Sequence, residues 1–532
     1  MNTPAMSSGE SAGVVFPAAA DGRRSTSALG RAVVADALRQ SDPAGALGAE
    51  HETNWRSGYL VHFRRLIEAG LASKEAWLAI ARDGLGSLHA RMRVAAPGGE
   101  EASLGSLLTA PARHRFVTAT VHGTGEAERE FALPYHGERL RGDALARKLD
   151  AWVTAGIIEP TCADAIRAVA AHPEWLRLPG RTVVALGAGA EIGPLPVLLG
   201  WGATVAGVDL PRPALWDRVL RTAQGSGGTL LVPVAAPPAG HDAPGEPGTG
   251  IAEDAGDAPD AEAAPDAAGV VGAGGGETLQ ERSGLDLVGD VPAAADWLAG
   301  IGGPLVLGNY VYADGAANVR VSAAVDALTV RLQAARDDLA LAFLATPTDV
   351  FAVSADAVAQ SVSAYASRSR GAKLAGRPLR TLSGGRLLRR AYLPGADPGI
   401  NDSLVAQQGP NYALAKRLQR WRAALARDSG ATVSLNVAPP TRTKSVVQNR
   451  VLAAAYAGAH RFGVEVFEPA TTRVLMAALL VHDLHTGGGP AHAHPWQDEA
   501  YAAAPGGLWR IAYAPRSALG LAALLGYGAA RG

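Results

Sequence analysis

The stretch that most constrains this chain is residues 181–211, RTVVALGAGAEIGPLPVLLGWGATVAGVDLP. The run Thr182, Val183, Val184, Ala185, Leu186 is apolar and β-branched without alternation, the pattern of a strand buried on both faces of a parallel sheet. A glycine-rich turn follows, carrying Gly187, Gly189 and Gly193. A helical segment then runs through Leu198 and Leu199 to Gly200 and Gly202, and a second apolar run over 203–208 stops on Asp209. Strand, glycine turn, helix, strand and acid form the unit that holds the adenosine half of a dinucleotide. Glycines let the backbone approach the pyrophosphate, a helix N-terminus offers free N–H groups, and the acid accepts the ribose hydroxyls. Asp209 lies roughly 20 residues past the first glycine, where that geometry places it.

A chain of 532 residues exceeds one ordinary core, so at least two packed units are expected. Lys+Arg total 49 and Asp+Glu 50, leaving no basic surplus for nucleic acid or an anionic membrane. The one cysteine, Cys162, excludes an intramolecular disulfide framework and a thiolate metal cluster, and suits a reducing, cytoplasmic setting. No leader-like pattern opens the chain and no apolar run reaches spanning length, so a soluble protein without a membrane partner is expected.

In chain order, residues 1–25 are small and polar and read as disordered. Residues 26–175 read as a mainly helical accessory domain: Leu60, Phe63, Leu66 and Ile67 recur at helical spacing, as do Trp77, Ile80 and Ala81. Within it, two alternating runs over 115–121 and 128–133 predict a β-hairpin, and Thr161 with Asp164 suggests a capping box. Residues 176–482 alternate strand and helix, which argues an α/β, doubly wound parallel sheet of Rossmann-like type. Residues 236–283 are Ala, Pro, Gly and acid almost without aromatics and read as a disordered acidic insertion. A second insertion over 349–402 is rich in Ser, Arg and Gly, with a helix over 355–365, and 483–532 form a C-terminal extension. Two runs, 229–234 and 285–291, compete for the third parallel strand.

From about 181 to 480 the motifs resemble, in order, those of the short-chain dehydrogenase/reductase superfamily. Gly187 and Gly193 match the outer glycines of its nucleotide turn, with Gly189 between them, and Asp209 matches its ribose acid. Asp290 and Val291 resemble the pair lying against adenine, and Gly308-Asn309 stands where the family has Asn-Asn-Ala-Gly. Tyr412 and Lys416 reproduce its Tyr-x-x-x-Lys pair, and Asn436-Val437-Ala438-Pro439 its Asn-x-x-Pro-Gly strand end. With 11 Tyr and five Lys, about 0.1 chance Tyr-x-x-x-Lys pairs are expected in the whole chain.

The resemblance implies an NAD(P)-dependent oxidoreductase acting on a small carbonyl or alcohol, with NAD favoured by Asp209 and NADP admitted by the nearby Arg212. A lysine one helical turn from a tyrosine favours phenolate, so Tyr412 becomes a proton donor and acceptor with Lys416 as its tuner. The chain also departs from the family. Glu191 replaces the middle glycine, Pro440 replaces a glycine, and Gly399 falls about where the catalytic serine belongs. Thr346 or Thr348 can supply that hydroxyl, with Ser403 a weaker choice, and Asn318 is a loose match for the family's helix asparagine. Relatives often pair through helices flanking the sheet, so a homo-oligomer is admitted.

Two further readings stand beside this one. A Rossmann-like protein that binds a nucleotide or partner without turnover needs the same turn. An S-adenosylmethionine-dependent methyltransferase also uses a glycine turn and acid, but Ala185-Leu186 stand where its acidic residue belongs and Tyr-x-x-x-Lys goes unexplained. His482, Asp483, His485, His492 and His494 have zinc-like spacing in a Gly/Pro-rich stretch. They lack a cysteine or distant carboxylate and read as a solvated or substrate-lid loop rather than a metal site.

Overall fold

A computed structural model describes residues 12–96, 100–236, 278–488 and 491–528. Its centre is a seven-stranded sheet. In chain order the strands are β1 (Phe116–His122), β2 (Thr182–Leu186), β3 (Thr204–Val208), β4 (Thr229–Ala235), β5 (Leu305–Asn309), β6 (Leu339–Ala345) and β7 (Val433–Val437). Their spatial order is β7-β6-β5-β2-β3-β4-β1. Every neighbouring pair is parallel except β1, which runs antiparallel along the whole of β4. Strands β2, β5, β6 and β7 are buried at every position; β2 and β6 read as nearly unbroken apolar runs, while β5 and β7 also bury Asn309, Ser434 and Asn436.

After β2 the chain winds outward through β3 and β4, then returns to start β5 on the other side of β2 and winds outward again. That reversal leaves a crevice beyond the carboxyl ends of β2 and β5, the place where doubly wound sheets bind ligands. Three helices bear on it. Leu195–Gly200 (α1) follows the glycine turn, Gly315–Ala335 (α2) follows β5, and Pro410–Asp428 (α4, after Arg370–Leu382, α3) precedes β7. Pro410 sits in the first turn of α4, where its missing N–H costs nothing.

The sheet carries one apolar layer on each face. Val184, Leu307, Leu341 and Leu435 pack with Val33, Phe63, Trp77, Leu328 and Trp421. Val183, Val205, Val306 and Ala342 pack with Leu149, Trp152, Ile166, Leu475 and Leu479 on the opposite face. The helices before residue 175 therefore share their cores with the sheet, and the domain boundary expected there does not separate one core from another.

Three further expectations differ from the structure. The run over 115–121 does not form a hairpin with 128–133: it becomes β1 and pairs with β4, from Phe116↔Ala235 to His122↔Thr229. Its half-exposed pattern suits an edge strand covering the last parallel strand. Residues 13–25, expected disordered, include the strand Gly13–Val15, because Val14, Val15 and Phe16 give an otherwise small and polar run an apolar triplet to bury. The helix at 160–171 is entered from Glu159, and the Thr161 hydroxyl instead accepts the Ala502 N–H at 3.0 Å.

Of the two candidates for the third parallel strand, 229–235 is in the sheet, while Leu285 bonds to the carbonyl of Asp209 at 2.9 Å. Residues 237–277 of the expected acidic insertion, and 1–11 of the N-terminus, lie outside the described residues. The second insertion holds a two-stranded antiparallel ribbon, Val350–Val353 with Gly399–Asp402, as well as the helix Ala355–Ala366 and α3. Among the described residues no helix is long and apolar enough to cross a membrane.

Candidate functional site

The glycine turn leaves β2 at Gly187, whose φ of 87° favours glycine. A Cβ there would stand 2.9 Å from the Tyr310 carbonyl oxygen, so strand β5's exit and the turn pack backbone to backbone. Asp209, at the end of β3, folds back onto the turn: one carboxylate oxygen accepts the Gly189 N–H at 2.9 Å and the other the Leu210 N–H at 2.8 Å. The Arg218 guanidinium lies against the same turn, 3.3 Å from where a Cβ on Gly189 would be. Glu191, in place of the expected middle glycine, lines the same cleft as the turn and accepts the Lys444 N–H at 2.9 Å. It thereby ties the segment after β7 to the glycine turn.

Turn and acid form one end of a cleft of about 1610 Å³. Gly187, Gly189 and Asp209 line it together with Tyr412 and Lys416, from more than 200 positions further along the chain. Tyr312, in the segment after β5, lies edge-on to Tyr412 at 6.3 Å between ring centres. Exposed Arg113, Arg212, Arg218, Arg442 and Lys444 also line the cleft, and among the described residues none of their side-chain cations meets a carboxylate.

Tyr412 and Lys416 are neighbours on the first turns of α4. Burial pushes the Tyr412 phenol up to about 12, with a hydrogen bond from Thr346 pulling the other way. Burial also brings the Lys416 ammonium down to about 8, against the pull of Asp349. Its Nζ donates to the Leu344 carbonyl at 3.0 Å and to Gln419 Oε1 at 3.2 Å. Gln419 Nε2 in turn donates to Asn309 Oδ1 at 3.3 Å. The expected lowering of the phenol by Lys416 is thus not the dominant effect here, because the ammonium is directed at a strand carbonyl and an amide. Thr346 and Thr348 share a hydrogen bond of 2.9 Å, and Gln408 Nε2 donates to Thr348 at 2.6 Å.

The structure leaves several expected residues outside the cleft lining: Gly193, Asp290, Val291, Asn309, Thr346, Thr348, Asn436 and Pro439. Thr346 still reaches the site through Tyr412, and Asn309 through Gln419. Asp290 is a helix N-cap, accepting the Ala293 N–H at 3.1 Å and facing His114 Nδ1 at 2.8 Å, and Val291 is buried behind it. Asn436 spends its amide on Ser434 and on Asp483, at 2.9 and 3.0 Å. Ser403 is buried against Asn401, and Asn318 accepts from the Ala313 N–H.

The late histidines are dispersed. His482 meets Asp483, His492 meets Asp498, His494 faces the Gly70 carbonyl, and His485 stacks on Trp175. Among the described residues no group of three or more His, Cys, Asp or Glu is placed to hold a metal ion. Tyr312, Gln419 and Arg218 escaped the sequence reading. Gln419 carried a faint signal, three residues past Lys416 on one helix, whereas Tyr312 and Arg218 become site residues only when the sheet is wound.

No family model, no curated protein and no solved structure matches this chain.

Proposed function

We propose that the chain is an NAD(P)-dependent oxidoreductase of the short-chain dehydrogenase type, reducing a carbonyl group at the expense of a nicotinamide. The observation that carries this reading is that glycine turn, Asp209, Tyr412 and Lys416 line one cleft at the carboxyl edge of a sheet in the order β7-β6-β5-β2-β3-β4. A dinucleotide fits the residues present. Gly187 and Gly189 leave the start of the turn open to a backbone approach, Glu191 at its middle is engaged by the Lys444 N–H, and Arg212 and Arg218 supply positive charge that, among the described residues, meets no carboxylate.

When bound, the nicotinamide supplies the hydride. Tyr412 then supplies the proton. A phenol pushed up to about 12 is protonated at neutral pH, so Tyr412 would act as the donor to the carbonyl oxygen, although burial makes it a weaker acid than a free tyrosine. Thr346, whose hydroxyl meets that of Thr348 at 2.9 Å and draws the pKa of the Tyr412 phenol downward, would polarise the carbonyl. Lys416 places a positive charge behind the reacting oxygen, held in position by Leu344 and Gln419.

Titration with NADH and NADPH, followed by fluorescence or calorimetry, tests the reading. Binding that is lost in Asp209→Ala and in Gly189→Trp supports it, and no response to either cofactor at millimolar concentration sinks it. A second reading, nucleotide binding without turnover, draws on the raised phenol and on the Lys416 ammonium already occupied by protein acceptors. Tight NADH binding with no turnover across a panel of aldehydes and ketones selects that reading. A response to S-adenosylmethionine alone selects the methyltransferase.

A further inference from the structure

The strongest charge asymmetry in the chain lies away from the cleft. Between Asp356 and Asp397 the sequence has no acidic residue and eight basic ones, in a protein of net charge −1. Six of the eight are Arg368, Arg370, Lys373, Arg377, Arg380 and Arg386, and Arg389 with Arg390 complete the set. Among the described residues none of these cations meets a carboxylate. Arg368 and Arg380 bond to tyrosine oxygens, and Arg390 lies over the Tyr365 ring.

Helix α3 sorts this charge onto one face. Arg370, Lys373, Arg377 and Arg380 follow one another at spacings of three and four, a sector of about 80° at 100° per residue. Leu374, Pro378 and Leu382, spaced four apart, form the adjoining face, with Leu379 at its border. Among the described residues nothing covers the apolar face: Leu374 is 70% and Leu382 87% exposed, and Leu393 beyond the helix is 78% exposed. The helix rests on the body through its third side, where Gly376 is buried and a Cβ on it would be 3.6 Å from Leu388.

We propose that α3 and the segment to Leu393 form a docking surface for an anionic lipid bilayer. The helix lies in the plane of the interface, its leucines entering the acyl boundary and its guanidinium and ammonium groups meeting the headgroup phosphates. The partner must offer anions beside an apolar phase, since both faces are open at once. A nucleic acid answers the charges and leaves the leucines in water, and no exposed aromatic side chain between Arg370 and Leu393 offers a base a stacking platform. An acidic soluble peptide has the same shortcoming. The even charge balance of the whole chain conceals this surface, and a spanning helix is not needed for it.

The test is co-sedimentation of the full chain with phosphatidylcholine vesicles, with and without phosphatidylglycerol. The expected result is binding only to the anionic vesicles, weakened by salt. Lys373→Gln and Arg377→Gln should each reduce partitioning about fivefold, and Leu374→Ser combined with Leu382→Ser at least about tenfold. Both leucines are solvent-exposed, so the double variant should keep the wild-type melting temperature. Absence of binding to anionic vesicles at low salt overturns the proposal. So does vesicle binding indifferent to the leucine pair. Binding to polyuridylate or polyglutamate that exceeds vesicle binding and ignores the leucines assigns the patch to a soluble polyanion, and likewise overturns it.

Discussion

The Lys416 ammonium is costly where it sits, and that cost can be measured by removing it. Burial lowers its pKa from 10.5 to about 8. Because the folded value lies below the unfolded one, the unfolded chain binds more protons between pH 8 and 10.5, and stability rises with pH across that window. The full shift corresponds to about 3 kcal/mol, and to about 2 kcal/mol once the residual solvent contact of the side chain is allowed for. Near pH 9 the slope is about 1 kcal/mol per pH unit.

Lys416→Met keeps an unbranched side chain one atom shorter and removes the charge. Below pH 8 the two effects of the change nearly offset. The charged form no longer has to be buried, but the Leu344 carbonyl and the Gln419 amide lose their donor, each loss costing about 1 kcal/mol. The pH dependence is therefore the informative quantity. The difference in unfolding free energy between wild type and Lys416→Met, measured by urea titration from pH 7 upward, should shift toward the wild type by about 2 kcal/mol by pH 10.5. Other titrating groups cancel in that difference. A flat difference refutes the placement of a buried ammonium beside Leu344. If the ammonium also serves the chemistry, carbonyl reduction by the wild type should fall above pH 8.

Three further outcomes are expected. Tyr412→Phe should lower turnover about 10²-fold or more while leaving NADH affinity within about twofold, as read by steady-state kinetics and fluorescence titration. Asp209→Asn keeps an oxygen for one backbone N–H but removes the charge, so NADH affinity should fall about tenfold and NADPH affinity less, by calorimetry. Arg420 is buried between Asp349 and Glu499, so Arg420→Met should cost about 3–5 kcal/mol in denaturant unfolding, and adding Glu499→Gln should restore some of it, since Arg417 still holds Asp349 at 2.8 Å.

What the sequence discloses depends on whether a residue's role is settled by its neighbours in the chain or by distant ones. The strand-turn-strand unit from Thr182 to Asp209 was legible because burial on both faces favours an apolar strand such as Thr182–Leu186 and because the positive φ at Gly187 favours glycine. The pair Tyr412 and Lys416 was legible for a similar reason, since a spacing of four puts both on one helix face whatever the fold around them. The strand-end amides were not legible. Asn309 and Asn436 stand at corresponding ends of β5 and β7, yet Asn309 is joined to the site by Gln419 while Asn436 is drawn away by Asp483, both acceptors or donors from other helices. Asp290 had the same ambiguity: an acid before a proline-bearing apolar run is as good an N-cap as a ligand, and the backbone of Ala293 claimed it. The strand β1 was misassigned because alternation reveals a half-buried strand without naming its partner, and an edge left open by β4 proved a better partner than a hairpin mate. The errors at Asn436, Asp290 and β1 concern the direction of a polar group or the choice of a pairing edge, quantities fixed by tertiary contacts. A reading of the cleft that rests on the local unit and on the helical pair is accordingly most exposed to the Tyr412 and Lys416 substitutions, and those substitutions are the most informative about it.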